Sequence, residues 1–245
     1  MAKKAGLGDA FYIGGYDLSG DVSSVDTVSA RRAAIETPVL EKSAMVRLPG
    51  MADGEISFTS WFDDGTDLSH TALKSLVTTD REVLYCRGTA ADSPAAMLVA
   101  KQINYDFTRA TDKALSASVQ CLGNGTALEW GVLLTPGAIT HSSSSSTSDK
   151  DDSASSSAGL AAVLQIVSIN SGTPTFKIED SPNGSSWSDL VSFTAVANGN
   201  EPASERVSVT GTVNRYLRIT STGTFSNAKF IIAYRRGTAE DDPAY

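Results

Sequence analysis

At 245 residues, with 41% hydrophobic and 20% charged side chains, the chain can fill one large or two ordinary domains and is too apolar for general disorder. No run approaches the ~18 apolar residues of a membrane span. The basic start MAKKAGLGDAF lacks the apolar core of a secretion signal, so the expectation is a protein kept in the cytosol where it is made. The net charge of −8 argues against a phosphate-gripping protein, because affinity for nucleic acid comes from Lys and Arg releasing counterions.

In chain order, Ala10–Asp17 is predicted as a first strand with a bend at Gly14-Gly15. Asp26–Asp64 follows, and it is the most informative segment. Its first half has no period long enough for a stable element, and the helix-like run Ser29–Ile35 is cut at Thr37-Pro38. Yet Val39, Leu40, Met45, Val46 and Leu48 are too apolar for a solvated loop. Long connections in compact domains are usually functional or disordered. Two readings follow: an arm that docks on another subunit, or a loop folded back on its own core. Glu55–Phe62 then alternates as a strand, with Ile56, Phe58 and Phe62 on one side and Ser57, Thr59 and Trp61 on the other.

After the turn Asp63-Asp64-Gly65, the stripe Leu68, Ala72, Leu73, Leu76, Val77 predicts the one substantial helix. Glu82–Arg87 is a short strand. Ala96–Phe107 and Ala114–Leu122 form a hairpin candidate. Met97, Val99, Ile103, Tyr105 and Phe107 share one face of its first arm, and Leu115, Ala117, Val119 and Cys121 one face of its second. The opposite face is polar. Cys86 and Cys121 are too few for a disulfide scaffold or a metal site and read as buried free thiols.

Residues 138–158, with SSSSSTSDKDDSASSS at their centre, are too polar to offset chain entropy and read as a Ser-rich linker or exposed loop. Beyond it, strands are predicted at Ala161–Ile169, Thr175–Asp180, Leu190–Val196, Glu205–Val209, Tyr216–Thr220 and Lys229–Tyr234, with a hairpin turn at Asn183-Gly184. That spacing fits a small β-sandwich or jelly roll, and this half resembles immunoglobulin-like or carbohydrate-module-like β-sandwiches. The expected fold is therefore all-β with one short helix, in two domains, 1–137 and 159–245, with the alternative that the later strands complete one composite fold with the first half. Residues 1–137 carry 12 basic and 17 acidic side chains (12 − 17 = −5).

Chemistry was sought at several places. His70 reads as an exposed helix residue and His141 as a solvated loop residue, so neither supports a Ser-His-Asp site. Asp149, Asp151 and Asp152 lack the glycine and distal glutamate of a calcium loop. Trp61, Trp130 and Trp187 could form a sugar platform, although core or interface packing is the more ordinary use of tryptophan. The expectation is a protein that is not an enzyme and needs no cofactor or metal.

Three segments, GDAFYIGGYDLSGDV (8–22), ARRAAIETPVLEKSAMVRLPGMADGEISFTSWFDD (30–64) and PAAMLVAKQINYDFTRATDKALSASVQCLGNG (94–125), resemble the major tail proteins of long-tailed, siphovirus-type bacteriophages. The resemblance covers about the first half of the chain and rests on overall pattern. It implies a tail-tube-like β-sandwich domain whose copies form stacked hexameric rings, a virion tail that conducts DNA during ejection. It also implies an arm at about residues 26–49 reaching a neighbouring ring through Arg31, Arg32, Val39, Leu40, Met45 and Leu48. The implied partners are the chain itself and other tail proteins such as the tape measure and the tail terminator. DNA would pass without specific binding, and no membrane is involved. Because DNA carries one charge per ~1.7 Å of axis, the lumen should be neutral to acidic. The candidates are Gln102, Asn104, Asp106, Asp112, Ser116, Ser118 and Gln120, the alternative being that this face points outward and another strand lines the channel. The competing expectation is a β-sandwich module that binds a surface glycan or protein.

Overall fold

The computed structural model describes residues 8–38, 40–109, 111 and 114–238. Val39 and Asp112 lie outside the described residues. The chain is all-β with one short helix. Strand β1 (Ala10–Ile13) turns at Gly14-Gly15, both at positive φ, into β2 (Tyr16–Asp17), so the predicted single strand is a tight hairpin. Gly15 is required twice: its φ is +88°, and a Cβ there would lie 2.2 Å from the backbone nitrogen of Ala203.

The two longest strands follow, β3 (Val22–Thr37) and β4 (Val46–Trp61), each of 16 residues. They pair antiparallel from Val22↔Ser60 to Thr37↔Val46, so the segment read as a helix-like run and an irregular arm is one continuous hairpin. Local preference loses here because β4 offers β3 a complete hydrogen-bonding edge. Helix α1 (Ser69–Leu73) is shorter than the predicted Leu68–Val77 and buries Ala72 and Leu73; Leu76 lies past its end, exposed and at φ +42°.

Next come β5 (Arg81–Cys86), β6 (Pro94–Gln102), β7 (Asp106–Arg109) and β8 (Leu115–Gly123). The first part of the sheet runs β2-β1-β5-β6, passes to β8 through Ala100–Gln102, and ends in β4 and β3, with β7 on the other side of β8. It folds back on itself, because Phe11 of β1 stacks on Phe58 of β4 with centroids 4.4 Å apart although the two strands are not neighbours. Ile13, Leu18, Ile56, Val83, Leu98, Val119 and Cys121 fill this first core, and α1 closes it.

Strand β9 (Glu129–Leu133) is followed by three short strands, β10 (Ile139–His141), β11 (Ser145–Ser146) and β12 (Lys150–Asp151). The remaining strands are β13 (Leu160–Gly172), β14 (Thr175–Ser181), β15 (Ser188–Ser192), β16 (Ala203–Val209), β17 (Tyr216–Thr222) and β18 (Phe225–Arg236). A layer of β16, β13, β18 and β10 faces a layer of β15, β14, β17, β11 and β12. Ala162, Leu164 and Ile232 from one layer meet Ile178, Leu217 and Ile219 from the other, and Phe176 stacks on Phe230 at 4.2 Å. This is a β-sandwich.

Two corrections follow. Residues 138–158 are not a free tether, because β10 pairs with β18 while β11 and β12 pair with β17. The halves also share one 13-stranded sheet, with β9 bonded to β6 on one side and to β18 on the other. A third apolar cluster joins Tyr12, Leu84, Cys86 and Met97 of the first half to Val163, Ile231 and Ala233 of the second. Polar bonds reinforce the seam: Gly15 N–H donates to Gln165 Oε1 at 2.6 Å, and Arg206 clasps Glu129 at 2.9 and 3.0 Å. The two cores meet at β9, upstream of the serine-rich stretch.

Candidate assembly surfaces

β4 pairs with β8 only through Glu55–Trp61, so its outer portion, Val46–Gly54, has β3 as its one strand partner. Nine residues at about 3.3 Å each carry the hairpin roughly 30 Å beyond the sheet. The departure point is Gly54, where a Cβ would lie 2.6 Å from Leu128 N and 2.7 Å from a Leu98 methyl. Ile35 faces Leu48 across the ladder, and Thr37 faces Val46 two residues on, giving one apolar stripe. Glu36 and Arg47 pair on the other side at 3.2 Å. Of the residues expected in the arm, Leu40 is fully exposed at the turn, and Met45, Leu48 and Arg32 are exposed as well. Arg31 is held by Asp53 at 3.2 Å and Glu55 at 3.4 Å. Ile35 and Met51, also exposed, belong to the same surface and were missed because their strand was not recognised. An isolated two-stranded hairpin is marginal in water, and this one presents aliphatic side chains without burying them.

The outer face of β3, β4, β8 and β7 brings together most of the lumen candidates. Ser116, Ser118 and Gln120 stand opposite Trp61, Thr59 and Ser57, and Asp106 stands opposite Ser118. Asn104 donates to Asp106 at 2.6 Å and accepts from Gln120 N–H at 2.7 Å. Thr59 donates to Asp26 at 3.0 Å and Gln120 to Glu55 at 2.7 Å. This face is polar and carries the carboxylates of Asp26, Glu55 and Asp106.

Gln102 does not belong to it. It is 6% exposed, donates to Leu73 O at 2.9 Å and accepts from the buried Arg81 at 3.3 Å. The error is one of parity. β6 is covered on both sides, with Ala96, Leu98 and Ala100 in the first core and Ala95 and Met97 in the shared cluster. A strand buried on both faces shows no alternation from which to assign them.

At the end of β4 opposite the hairpin turn, Phe62, Tyr105, Phe107 and His70 form an aromatic cluster. Phe62 and Phe107 lie 5.7 Å apart, Tyr105 and Phe107 4.6 Å, and Phe62 and His70 4.7 Å. His70 Nδ1 is 3.2 Å from the Tyr105 hydroxyl, so this histidine is a packed member of the cluster. Phe62 and Phe107 are themselves partly exposed.

His141, expected in solvent, is buried at 8% exposure, 2.7 Å from Ser221 Oγ and edge-on to Phe230. Burial lowers its pKa below the ordinary value. Asp151 is paired with Arg215 at 2.6 Å and Asp152 with Arg236 at 2.6 Å. The Trp187 ring is covered by the Arg218 guanidinium at 4.2 Å, which occupies a face that a sugar would need. Trp130 is exposed beside a groove of about 1350 Å³ between the hairpin base and residues 123–130. Cys86 and Cys121 are free and buried, and burial pushes both thiols up to about 12. Among the described residues no helix is long and apolar enough to cross a membrane.

No protein-family model and no curated protein matches this chain. Among solved structures, the Dit protein of phage SPP1, described as a paradigm of the hub adsorption apparatus in phages infecting Gram-positive hosts, aligns over 93% of this chain and 98% of its own. The identity is 9% and the TM-score 0.34. A structure of infectious bursal disease virus, Gx strain, aligns over 99% of this chain and 70% of its own at 10% identity and TM-score 0.19. Likenesses of this size carry no functional argument.

Proposed function

We propose that this chain is a virion structural protein, the subunit of a phage tail tube whose copies close into hexameric rings and stack to conduct DNA. The observation that carries the reading is the projecting hairpin. Its two strands bond each other while Ile35, Leu40, Met45, Leu48 and Met51 remain in solvent. Each large aliphatic side chain gains roughly 1.5–3 kcal/mol on burial, so a second copy covering several of them would be held firmly. The sheet supplies further means of association. Among the described residues, β3 pairs with β4 alone and β7 with β8 alone, which leaves both edges of the β3-β4-β8-β7 sheet open. Open edges invite strand addition, and a heterologous contact that closes gives a ring.

The same reading assigns the polar face of that sheet, with Asn104, Asp106, Ser116, Ser118 and Gln120, to the lumen. Carboxylates and hydroxyls there would let DNA slide without being held. The tape measure and the tail terminator are the expected tail partners, and the virion tail is the expected location.

Electron microscopy of the purified protein tests the proposal. Tubes or rings with a central hole are expected from the natural chain. Leu40→Ser with Leu48→Ser should give folded subunits that no longer assemble. A natural chain that stays monomeric at every concentration would overturn the reading. Variants that polymerise normally would remove the hairpin from it.

A further inference from the structure

We infer that the outer end of the hairpin docks on the aromatic cluster at the opposite end of β4 in a second copy of this chain, joining copies head to tail along the strand direction. The inference deepens the assembly reading and rests on it. β4 is one unbroken strand of 16 residues, with Val46 beside the hairpin turn and Trp61 beside the aromatic cluster. At about 3.3 Å per residue these ends stand roughly 50 Å apart. The two surfaces therefore cannot satisfy each other within one copy.

Their chemistry is complementary. The hairpin presents flexible aliphatic side chains, Leu40, Met45 and Leu48, on a narrow two-stranded finger. The receiving surface presents Phe62 and Phe107, both partly exposed and fixed by ring contacts to His70 and Tyr105. Rings already packed against one another lose little freedom when covered, which removes much of the ordinary cost of association.

Charge points the same way. Residues 30–54 carry Arg31, Arg32, Lys42 and Arg47 against Glu36, Glu41 and Asp53 (4 − 3 = +1). Residues 61–77 carry Lys74 against Asp63, Asp64 and Asp67 (1 − 3 = −2). In a chain of net charge −8 the hairpin is slightly positive, and the surface that fits it is negative. Donor and acceptor are different patches at opposite ends of one element, so the contact repeats by translation and leaves an unfilled patch at each end of the stack. That is the geometry of an open assembly rather than of a closed pair.

Cross-linking tests it on the full chain. Leu40→Cys and Phe107→Cys are made separately, with Phe62→Cys as a second acceptor variant should loss of the Phe107 ring impair packing. The variants are mixed, treated with a short thiol-to-thiol cross-linker, and viewed by electron microscopy and on a denaturing gel. Cys86 and Cys121 are buried and contribute no background. A covalent dimer in the mixtures and its loss in each variant alone are expected. Assemblies in which Leu40→Cys fails to link to either acceptor, or links instead to Trp130→Cys in the groove, would overturn the docking and leave the assembly reading intact. A natural chain that forms no assemblies would overturn both.

Discussion

Residues 30–54 and residues 138–158 are of similar length and settle in opposite ways. The first are rich in aliphatic side chains and stand in solvent as a hairpin. The second are rich in serine and lie along a core. Ile139–His141 pairs with β18, and Thr147 N–H donates to Ile219 O at 2.9 Å while Thr147 Oγ1 accepts from Ile219 N–H at 3.0 Å. Asp152 receives Arg236 at 2.6 Å and the Tyr234 hydroxyl at 2.7 Å. A polar stretch is fixed in place because β17 would otherwise leave a row of backbone groups bare, and small side chains let another backbone approach it. An apolar stretch stays exposed because, among the described residues, no further strand edge of the same copy runs beside it; its two strands bond each other and turn their outer edges to water. Backbone demand, more than composition, decides where each segment goes.

The sharpest way to break this comparison is to remove the second region. Truncation after Pro136 would bare Tyr12, Leu84, Met97 and Leu133 on the shared cluster and take away both β13 and β18. Loss of the cooperative unfolding transition is expected, measured by circular dichroism against denaturant. A truncated chain that melts cooperatively would show that the first core stands alone.

A smaller effect comes from single side chains. Leu217, paired with Lys150 of β12, is fully buried in the sandwich core, so Leu217→Ala should cost about 2–5 kcal/mol. Leu48→Ala on the hairpin should change the stability of the monomeric chain by no more than about 0.5 kcal/mol. Urea titration of dilute protein reads both, and equal costs would erase the contrast.

The smallest effect is a pH dependence at His141, where the serine-rich stretch meets β18. Burial holds its folded pKa below the ordinary 6.5, so the unfolded chain takes up the proton first. Its contribution to stability is fully present above about pH 6.5 and is lost as pH falls through the folded value. His141→Gln should flatten the acid side of a melting-temperature profile between about pH 7 and 5. An unchanged slope would place the dependence elsewhere.

What the sequence disclosed follows the same physics. The six strands of the second half were legible because they are bounded by turn residues, with Asn183 Oδ1 accepting from Ser185 and Ser186 N–H, both at 2.9 Å, at the hairpin turn. The arm was legible as a place where apolar residues lacked a core, but not as strands. Ala30–Ala34 has a helical composition, and its pairing to residues 49–54 is specified from across the hairpin. Gln102 and His141 were misplaced because a polar residue inside a core is recognised by partners far away in sequence: Leu73 and Arg81 for the one, Ser221 for the other. The seam through β9 was illegible, since a five-residue strand that has β6 on one side and β18 on the other looks like any short strand.

The continuity of β4 from turn to base has a mechanical consequence. A pull on the hairpin along its axis reaches the rest of the molecule through the Glu55–Trp61 register with β8. That ladder is loaded in shear, with its hydrogen bonds strained together instead of being peeled one at a time from an end. From β8 the load passes into β6, which is clamped between two apolar layers and held by β5 and β9 on its two edges. The finger is thus rooted in the least yielding strand of the fold, and tension applied at Leu40 is spread over both halves of the chain.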